Sequence, residues 1–395
     1  GSILIKAVAG SAGLRILGMG FGLLVGVQLA RGLGAEGYGI YGMAMSIIAL
    51  LMVPTEFGLP QLVVRETAAN ATRKNWGKVR GVIAWSRKVS VVSWLLVSSV
   101  GVLVLAIGAQ HVGPDLAIAL LTGLAMIPLV ALGKVRGAVL RGLSHVVKGQ
   151  VPEVLLRPGI QSALLLAMAA MAIPLTPALA MGLGVASAGF ALIVAALLLR
   201  RALPTVARDV KIEVDASSWR SSCVPMAMTE AMRVLQGHLA MLMLGLIATV
   251  SSVGIFKVAT AVSVVVALPT AILISVVAPS ISSLFVSGDR VRLQKLLTWS
   301  SIAMTSGALL LSLPFFLSAP FLIKLVFGND FVDAATPLRI MCAGAVLTAT
   351  AGTAGTLLNM TGNERQVRRA SMEALISLVV ILPILIIQFG ATGAA

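Results

Sequence analysis

Charged residues are scarce in this sequence: they make up 11% of its 395 residues, with only 14 acids against 30 lysines and arginines. An ordinary soluble domain contains about 25% charged residues. Because 58% of the residues are hydrophobic, the composition excludes a soluble protein and indicates an integral membrane protein. The net charge of +16 belongs mainly on the cytoplasmic loops of such a protein, so nucleic acid is not an expected partner.

Cysteine and aromatic residues are also few. Cys223 and Cys342 lie at or within apolar runs, and there is neither a CxxC motif nor a His/Cys cluster, so no disulfide and no metal site is predicted. The aromatic content of 5% does not suit the girdles of a transmembrane barrel, whereas 39 glycines suit closely packed helices. The sequence contains no P-loop for ATP and no group of residues that indicates catalysis.

Long apolar runs, in contrast, are abundant. A helix needs about 20 apolar residues to cross a bilayer. The sequence has about eleven runs of helical length and therefore predicts an all-α polytopic membrane protein. Their approximate limits are 8–31, 37–63, 82–107, 116–139, 154–173, 178–199, 224–247, 253–285, 297–317, 334–358 and 374–389.

The distribution of lysine and arginine predicts the orientation. Every loop that follows an even-numbered run is basic, as at Arg73 and Lys74 after the second run and Arg200 and Arg201 after the sixth. The loops after odd-numbered runs carry few cations. Because basic loops remain on the cytoplasmic side, we expect a cytoplasmic N-terminus.

One pattern occurs twice along the chain. Each copy has an arginine near the start of an apolar run, a glycine at the next boundary and a proline in the following run, and the glycine-to-proline spacing is the same in both. These residues are Arg15, Gly39 and Pro54 in the first copy and Arg233, Gly254 and Pro269 in the second.

The repeat predicts two parallel helical lobes, at residues 1–200 and 223–395, joined by a solvated cytoplasmic connector at 201–222. The first lobe contains six apolar runs and the second contains five. We therefore expect the complete protein to have at least one further span after the last run given; a protein of eleven spans is the alternative.

Ionisable residues at membrane depth are candidates for a functional site, because each costs roughly 2.5 to 3.5 kcal/mol to insert. Five cations are predicted to line a water-filled cavity for an anionic substrate. For Arg136, snorkelling to the headgroups is an equally good interpretation. The five are Arg15, Arg136, Arg157, Arg233 and Lys257.

Two of these arginines have an acid nearby on the same helix. Glu230 precedes Arg233 by three residues, and Glu153 precedes Arg157 by four, so both pairs can form along a helix face. A structural pair and a functional pair remain equal alternatives for Glu153 and Arg157. Glu153 and Glu230 are also candidate residues for ion coupling or a hinge.

A proline and an acid lie together in the second run. Glu56 follows Pro54, which frees a backbone carbonyl, so Glu56 is either a site for a coupling ion or a buried group at a kink. Pro269 occupies the corresponding position of the second copy and predicts a shared hinge or bend.

The region around the first copy resembles a known family. Three segments, LGAEGYGIY at 33–41, FGL at 57–59 and VRE at 64–66, are similar to the N-terminal signature of the O-antigen and exopolysaccharide flippases. These proteins belong to the multidrug/oligosaccharidyl-lipid/polysaccharide (MOP) exporter superfamily. The resemblance implies two lobes in a V around a cationic central cavity, alternating access, and movement of an undecaprenyl-diphosphate-linked oligosaccharide to the periplasmic leaflet. The related lipid II flippases use cavity arginines, and Arg15 is the best positional match.

The predicted function is therefore a flippase of the bacterial inner membrane, without a cofactor and with Na+ or H+ as candidate coupling ions. Its expected partners are a lipid-linked anionic oligosaccharide, membrane lipids and polysaccharide assembly proteins. A multidrug exporter of the same superfamily is an alternative, but it would need acids in the cavity. A glycan polymerase or ligase would need a large periplasmic loop with catalytic residues. A non-transporting scaffold is a third alternative.

Overall fold

The apolar runs are helical along most of their length in the computed structural model, which describes residues 2–108, 113–204, 210–360 and 363–395. No strand occurs among these residues. The helices in the first half are α1 (Ser2–Glu56), α2 (Leu59–Thr72), α3 (Trp76–Ile107), α4 (Pro114–Leu124), α5 (Met126–Gly142), α6 (Val146–Val151), α7 (Arg157–Ala170) and α8 (Pro177–Ala202). Those in the second half are α9 (Ala216–Ile247), α10 (Val250–Val266), α11 (Leu268–Val286), α12 (Arg290–Phe327), α13 (Ala335–Ala351), α14 (Ala354–Met360), α15 (Glu364–Phe389) and α16 (Ala391–Ala394). A π-helical turn (Pro152–Leu156) joins α6 to α7, and a 3-10 helix (Asn329–Ala334) precedes α13.

Eight helical segments among the described residues are long and apolar enough to cross a membrane, or nine if α10 and α11, which are bent by 47°, form one crossing. The first segment, Gly10–Thr72, has 63 residues, or about 95 Å of helix, roughly three times the hydrocarbon thickness. The segment is long enough to contain the first two predicted runs as two separate crossings. The seventh predicted run lies in α9, which is not among the eight. The count of eleven crossings is therefore not confirmed.

Gly34 interrupts α1 where its first apolar run ends. Its φ of 67° and ψ of −178° suit a residue without a Cβ, so the helix axis changes direction there. Gly34 falls in the gap between the first two predicted runs, 8–31 and 37–63, and residues 37–41 are helical. Gly39 provides a close contact, described below, and not a turn.

The helices divide into two compact units. The first comprises Gly1–Leu33 and Ile40–His238, and the second comprises Gly34–Gly39 and Leu239–Ala395. In the first unit α5 is central and packs against α2, α3, α6 and α8. In the second unit α12 packs against α11 and α13, and α13 also packs against α10. The lobe boundaries at residues 200 and 223 remain predictions.

Two glycines of the repeat make a reciprocal contact inside the second unit. Gly39 of α1 lies against the carbonyl oxygen of Val250, and Gly254 of α10 lies against the carbonyl oxygen of Ala35. The separation of Ala35 from Gly39 equals that of Val250 from Gly254. The contact agrees with the repeat register read from the sequence.

A second pair of glycines allows α6 to cross α5 in backbone contact. A Cβ on Gly137 would overlap the carbonyl oxygen of Gly149, and a Cβ on Gly149 would come equally close to that of Gly137. Gly133, one turn earlier on α5, faces the carboxylate of Glu153. Because small residues four apart leave one side of a helix flat, the π-helical turn lies directly on α5.

The connector is docked on α3, although we expected a solvated tether. Its residues 211–214 are exposed, but the backbone N–H of Glu213 donates to the carbonyl of Gly77 at 3.1 Å. Arg80 donates to the carbonyl of Val210 at 2.6 Å. Residues 205–209 of the connector, which include Arg208, lie outside the described residues. The described part of the connector is therefore held by hydrogen bonds to the start of α3.

Substituting Gly81 tests this docking. A Cβ on Gly81 would overlap the carbonyl oxygen of Glu213, so we expect Gly81→Ala to lower the free energy of unfolding by about 1–3 kcal/mol. The matched control is Gly101→Ala in the same helix, where the new Cβ meets Leu124 at an ordinary 3.6 Å. The thermal midpoint of the purified protein in detergent is the measurement. Equal midpoints for the two variants would contradict the docking.

Candidate functional site

Three adjoining cavities of about 420, 290 and 290 Å³ in the first unit share lining residues. Arg157 lines the first and second, Glu153 lines the first and third, and Glu56 lines the second and third. We call the combined region the polar cavity. Its charged side chains are Arg15, Glu56, Lys134, Arg141, Glu153, Arg157, Glu230 and Arg233.

Glu56 is the last residue of α1 and forms an ion pair with Lys134 of α5. The Lys134 ammonium lies 2.5 Å from Glu56 Oε1, and the Glu56 side chain is only 7% exposed. Phe57 and Gly58 follow with φ values of 42° and 69°, which end the helix and leave the carboxylate facing α5. A buried carboxylate would be costly alone, and Lys134 provides its counter-charge.

Glu153 and Arg157 lie at the start and just beyond the end of the π-helical turn. Arg157 Nη1 donates to Glu153 Oε2 at 3.4 Å. The other carboxylate oxygen, Glu153 Oε1, faces Gly133 and is buried without a hydrogen-bond donor among the described residues. π-helical turns are common at functional sites, and this one presents a carboxylate that is only half satisfied.

Glu230 and Arg233 form the pair that their spacing in α9 allows. Arg233 Nε donates to Glu230 Oε2 at 3.1 Å, and a second, shorter bond joins Arg233 Nη2 to Glu230 Oε1. The Arg233 side chain is 70% exposed, against 19% for Glu230. The guanidinium is therefore partly neutralised, but it still has an open face toward the cavity.

Arg15 differs from these three pairs because it forms no ion pair among the described residues. Its side chain is exposed in the part of the cavity that Gly18 and Gly22 also line. A Cβ on Gly18 would overlap the carbonyl of Val154, so the glycine brings α1 against the π-helical turn. Arg141 is near enough to Arg15 for the two charges to repel each other. The polar cavity thus has five cations and three carboxylates.

Two of the predicted cations lie elsewhere. Arg136 donates to the carbonyl of Leu192 at 3.4 Å and does not line the polar cavity. Lys257 belongs to the second unit, where its ammonium lies 5.2 Å from the ring centroid of the buried Tyr38. A cation–π contact of this kind stabilises a desolvated ammonium. Substrate binding by Arg136 and Lys257 remains a prediction.

The two prolines lie beside breaks between helices. Pro54 is within the last turn of α1, just before the left-handed residues Phe57 and Gly58. Pro269 is in the first turn of α11, next to the 47° bend that separates α11 from α10. Both positions suit proline, because the chain changes direction nearby, but a hinge at either one stays a prediction.

Sequence reasoning did not place three residues of the polar cavity. Lys134 is a single charge in an apolar run, and nothing local in the sequence indicates its partner Glu56. Arg141 follows an apolar run, where a cation is as typical of a cytoplasmic loop as of a cavity. Gln161, which lines the cavity and donates to Tyr41 Oη at 3.5 Å, is uncharged and gave no signal. No group of three or more metal-binding side chains occurs in the described part of the chain.

Comparison with known proteins identifies the family. Residues 4–285 match the family of polysaccharide biosynthesis proteins. The chain belongs to this family. The resemblance read from the first copy of the repeat is thereby confirmed. No curated protein matches the sequence.

Solved structures with the same fold are transporters. An inward-facing MATE family multidrug resistance transporter of the MOP superfamily aligns with 97% of this chain and 92% of its own, with a TM-score of 0.72 and 13% identity. The lipid II flippase MurJ, in an inward closed conformation, aligns with 99% of this chain and 83% of its own, with a TM-score of 0.72 and 14% identity. A MATE protein in a bent conformation aligns with 98% of this chain and 90% of its own, with a TM-score of 0.64 and 16% identity. This polysaccharide biosynthesis protein is therefore a multi-pass, all-α membrane protein with the MOP transporter fold.

The ion pair between Glu56 and Lys134 can be tested by a double-mutant cycle. Lys134→Met leaves the buried carboxylate without a partner, so we expect a loss of about 3 kcal/mol in the free energy of unfolding. Adding Glu56→Gln removes the unpaired charge and should recover much of that loss. Unfolding midpoints in detergent of the wild type, both single variants and the double variant provide the measurement. If the two single costs simply add, the side chains do not interact.

Proposed function

We propose that this protein is a flippase that moves an undecaprenyl-diphosphate-linked oligosaccharide from the cytoplasmic to the periplasmic leaflet of the bacterial inner membrane. The observation that carries the proposal is the excess of cations in the polar cavity, where Arg15 has no carboxylate partner among the described residues. Membership of the polysaccharide biosynthesis family supports a glycan substrate. The fold it shares with MurJ, a lipid II flippase, supports a lipid-linked one.

In this proposal Arg15 makes the first contact with the diphosphate. An unpaired guanidinium can bind two phosphate oxygens at once, and it has no ion pair to break before doing so. Arg157 and Arg233 are each paired with a carboxylate, so each attracts the diphosphate less strongly than Arg15 does. The sugars occupy the hydrated part of the cavity while the polyprenyl chain stays in lipid. Transport by alternating access requires that the substrate bind the two facing states differently.

Glu153 is the best candidate for coupling to an ion. Its Oε1 is buried without a donor, and a proton or Na+ would satisfy it. Lys134 and Glu56 act on Glu153 electrostatically. Binding of a proton or Na+ at Glu153 would therefore change the electrostatic energy of both residues. Coupling to H+ or Na+ would supply the driving force, with no other cofactor.

The alternatives fit the site less well. A multidrug exporter that carries cationic drugs would need accessible acids, but each of the three carboxylates in the polar cavity is bonded to a cation. The proposed transport asks no residue to make or break a covalent bond, so the protein would not be an enzyme. The basic even-numbered loops support a cytoplasmic N-terminus, and polysaccharide assembly proteins on that side could supply the substrate.

Removal of Arg15 tests the cation role. We expect Arg15→Ala to slow the flipping of labelled lipid-diphosphate oligosaccharide in vesicles about tenfold or more, because a charge-assisted bond to phosphate is lost. Arg233→Ala should cost less, because Glu230 already neutralises part of that charge. Arg290→Ala, an exposed cation at the start of α12, is the control. Full activity of the Arg15→Ala, Arg233→Ala double variant would refute the proposal.

Replacement of Glu153 tests the coupling. Glu153→Gln keeps the size of the side chain but cannot exchange a proton, so flipping in vesicles should no longer respond to an imposed pH gradient. Basal flipping without a gradient should persist. Glu373→Gln, at a side chain that is 65% exposed, controls for the loss of a negative charge. If Glu153→Gln still responds to both pH and Na+ gradients as the wild type does, coupling resides elsewhere.

A further inference from the structure

A groove of about 510 Å³ on α3 shares no lining residue with the polar cavity. It lies between one side of α3 and the segment that leads into α9. We call it the α3 groove, and its principal lining residues are Trp85, Lys88, Val89, Val92, Val214 and Arg220.

The charge of the α3 groove is entirely positive. Lys88 and Arg220 are its only charged lining residues, and both side chains are exposed. Within the described part of the chain neither forms an ion pair or a side-chain hydrogen bond. Two unpaired cations on one groove indicate an anionic ligand.

Apart from Ser93, the rest of the α3 groove is apolar and continues along a lipid-facing helix. Val92, Leu95 and Leu96 are 47%, 51% and 65% exposed. Only 6% of the most apolar stretch of α3 is buried. A ligand whose charged end lies at Lys88 can therefore extend an aliphatic chain along α3 into the hydrocarbon.

The position of Lys88 along α3 matches the depth of the headgroups. The 32 residues of α3 extend about 48 Å, which exceeds the hydrocarbon thickness by about 18 Å. The segment from Trp76 to Lys88 accounts for about that excess, and the residues after it, 89–107, are uncharged. Lys88 thus lies where the apolar core of a bilayer would begin.

We propose that the α3 groove is a binding site for an anionic membrane phospholipid, with its phosphate at Lys88 and Arg220 and one acyl chain along Val92 and Leu96. Basic pockets at the headgroup level of membrane helices are suited to such lipids. The site is distinct from the proposed transport route, because its lining residues are not those of the polar cavity.

Native mass spectrometry of the delipidated protein, titrated with phosphatidylglycerol or phosphatidylcholine, tests this site. We expect one phosphatidylglycerol to bind more tightly than phosphatidylcholine, and Lys88→Gln with Arg220→Gln to weaken it at least about tenfold. The matched control is Lys295→Gln with Arg290→Gln, which removes an exposed lysine and an exposed arginine from α12 and should leave binding unchanged. Val92→Trp keeps both charges but fills the groove, and it should weaken phosphatidylglycerol binding as well.

Three results would overturn the proposal. Equal binding of the two lipids would mean that the groove binds lipid through its apolar surface alone and does not select a negative charge. Unchanged phosphatidylglycerol binding in both groove variants would place the lipid elsewhere. Displacement of the bound phosphatidylglycerol by one equivalent of a polyprenyl-diphosphate oligosaccharide would reassign the groove to the substrate. Circular dichroism and gel filtration verify that each variant is folded.

Discussion

The free energy of placing charge inside a bilayer is the constraint on which the first unit depends. Three carboxylates line the polar cavity, and each is held by a cation: Glu56 by Lys134, Glu153 by Arg157 and Glu230 by Arg233. Pairing lowers the cost of burial but does not make it small. A cavity that still holds two more cations than acids is therefore arranged to attract negative charge. Arg15 and Arg141, which have no carboxylate partner within the described residues, account for that excess.

Glycine determines how close these charges can come to one another. Gly137 and Gly149 allow α6 to cross α5 in backbone contact, and Gly133 leaves room for the Glu153 carboxylate. Gly18 brings α1 against Val154, beside Arg15. The helices have few other means of association, because lipid is as apolar as their side chains. The abundance of glycine in the composition is thus a direct cause of the site's geometry.

The sequence predicted the helical fold and the family, because each depends on local patterns. Long apolar runs specify helices, and the spacing of Gly39 and Gly254 matches a contact that is found. The pair of Glu230 with Arg233 was also predictable, since three residues on a helix fix their distance. The pair of Glu56 with Lys134 was not, because it joins α1 to α5 and depends on tertiary packing. The docking of the connector on α3 was not predicted, because its polar residues resemble those of a free linker. The space that Gly77 and Gly81 leave for it depends on tertiary packing and is not apparent from the sequence.

The reciprocal glycine contact in the second unit affects how the protein can be synthesised. Residues 34–39 emerge from the ribosome early, but their packing partners in α10 follow roughly two hundred residues later, or about 10 to 40 s at 5–20 residues per second. During that interval the backbone around Gly39 lacks the neighbour that it has in the folded protein. A chain interrupted before Val250 could not form this contact at all.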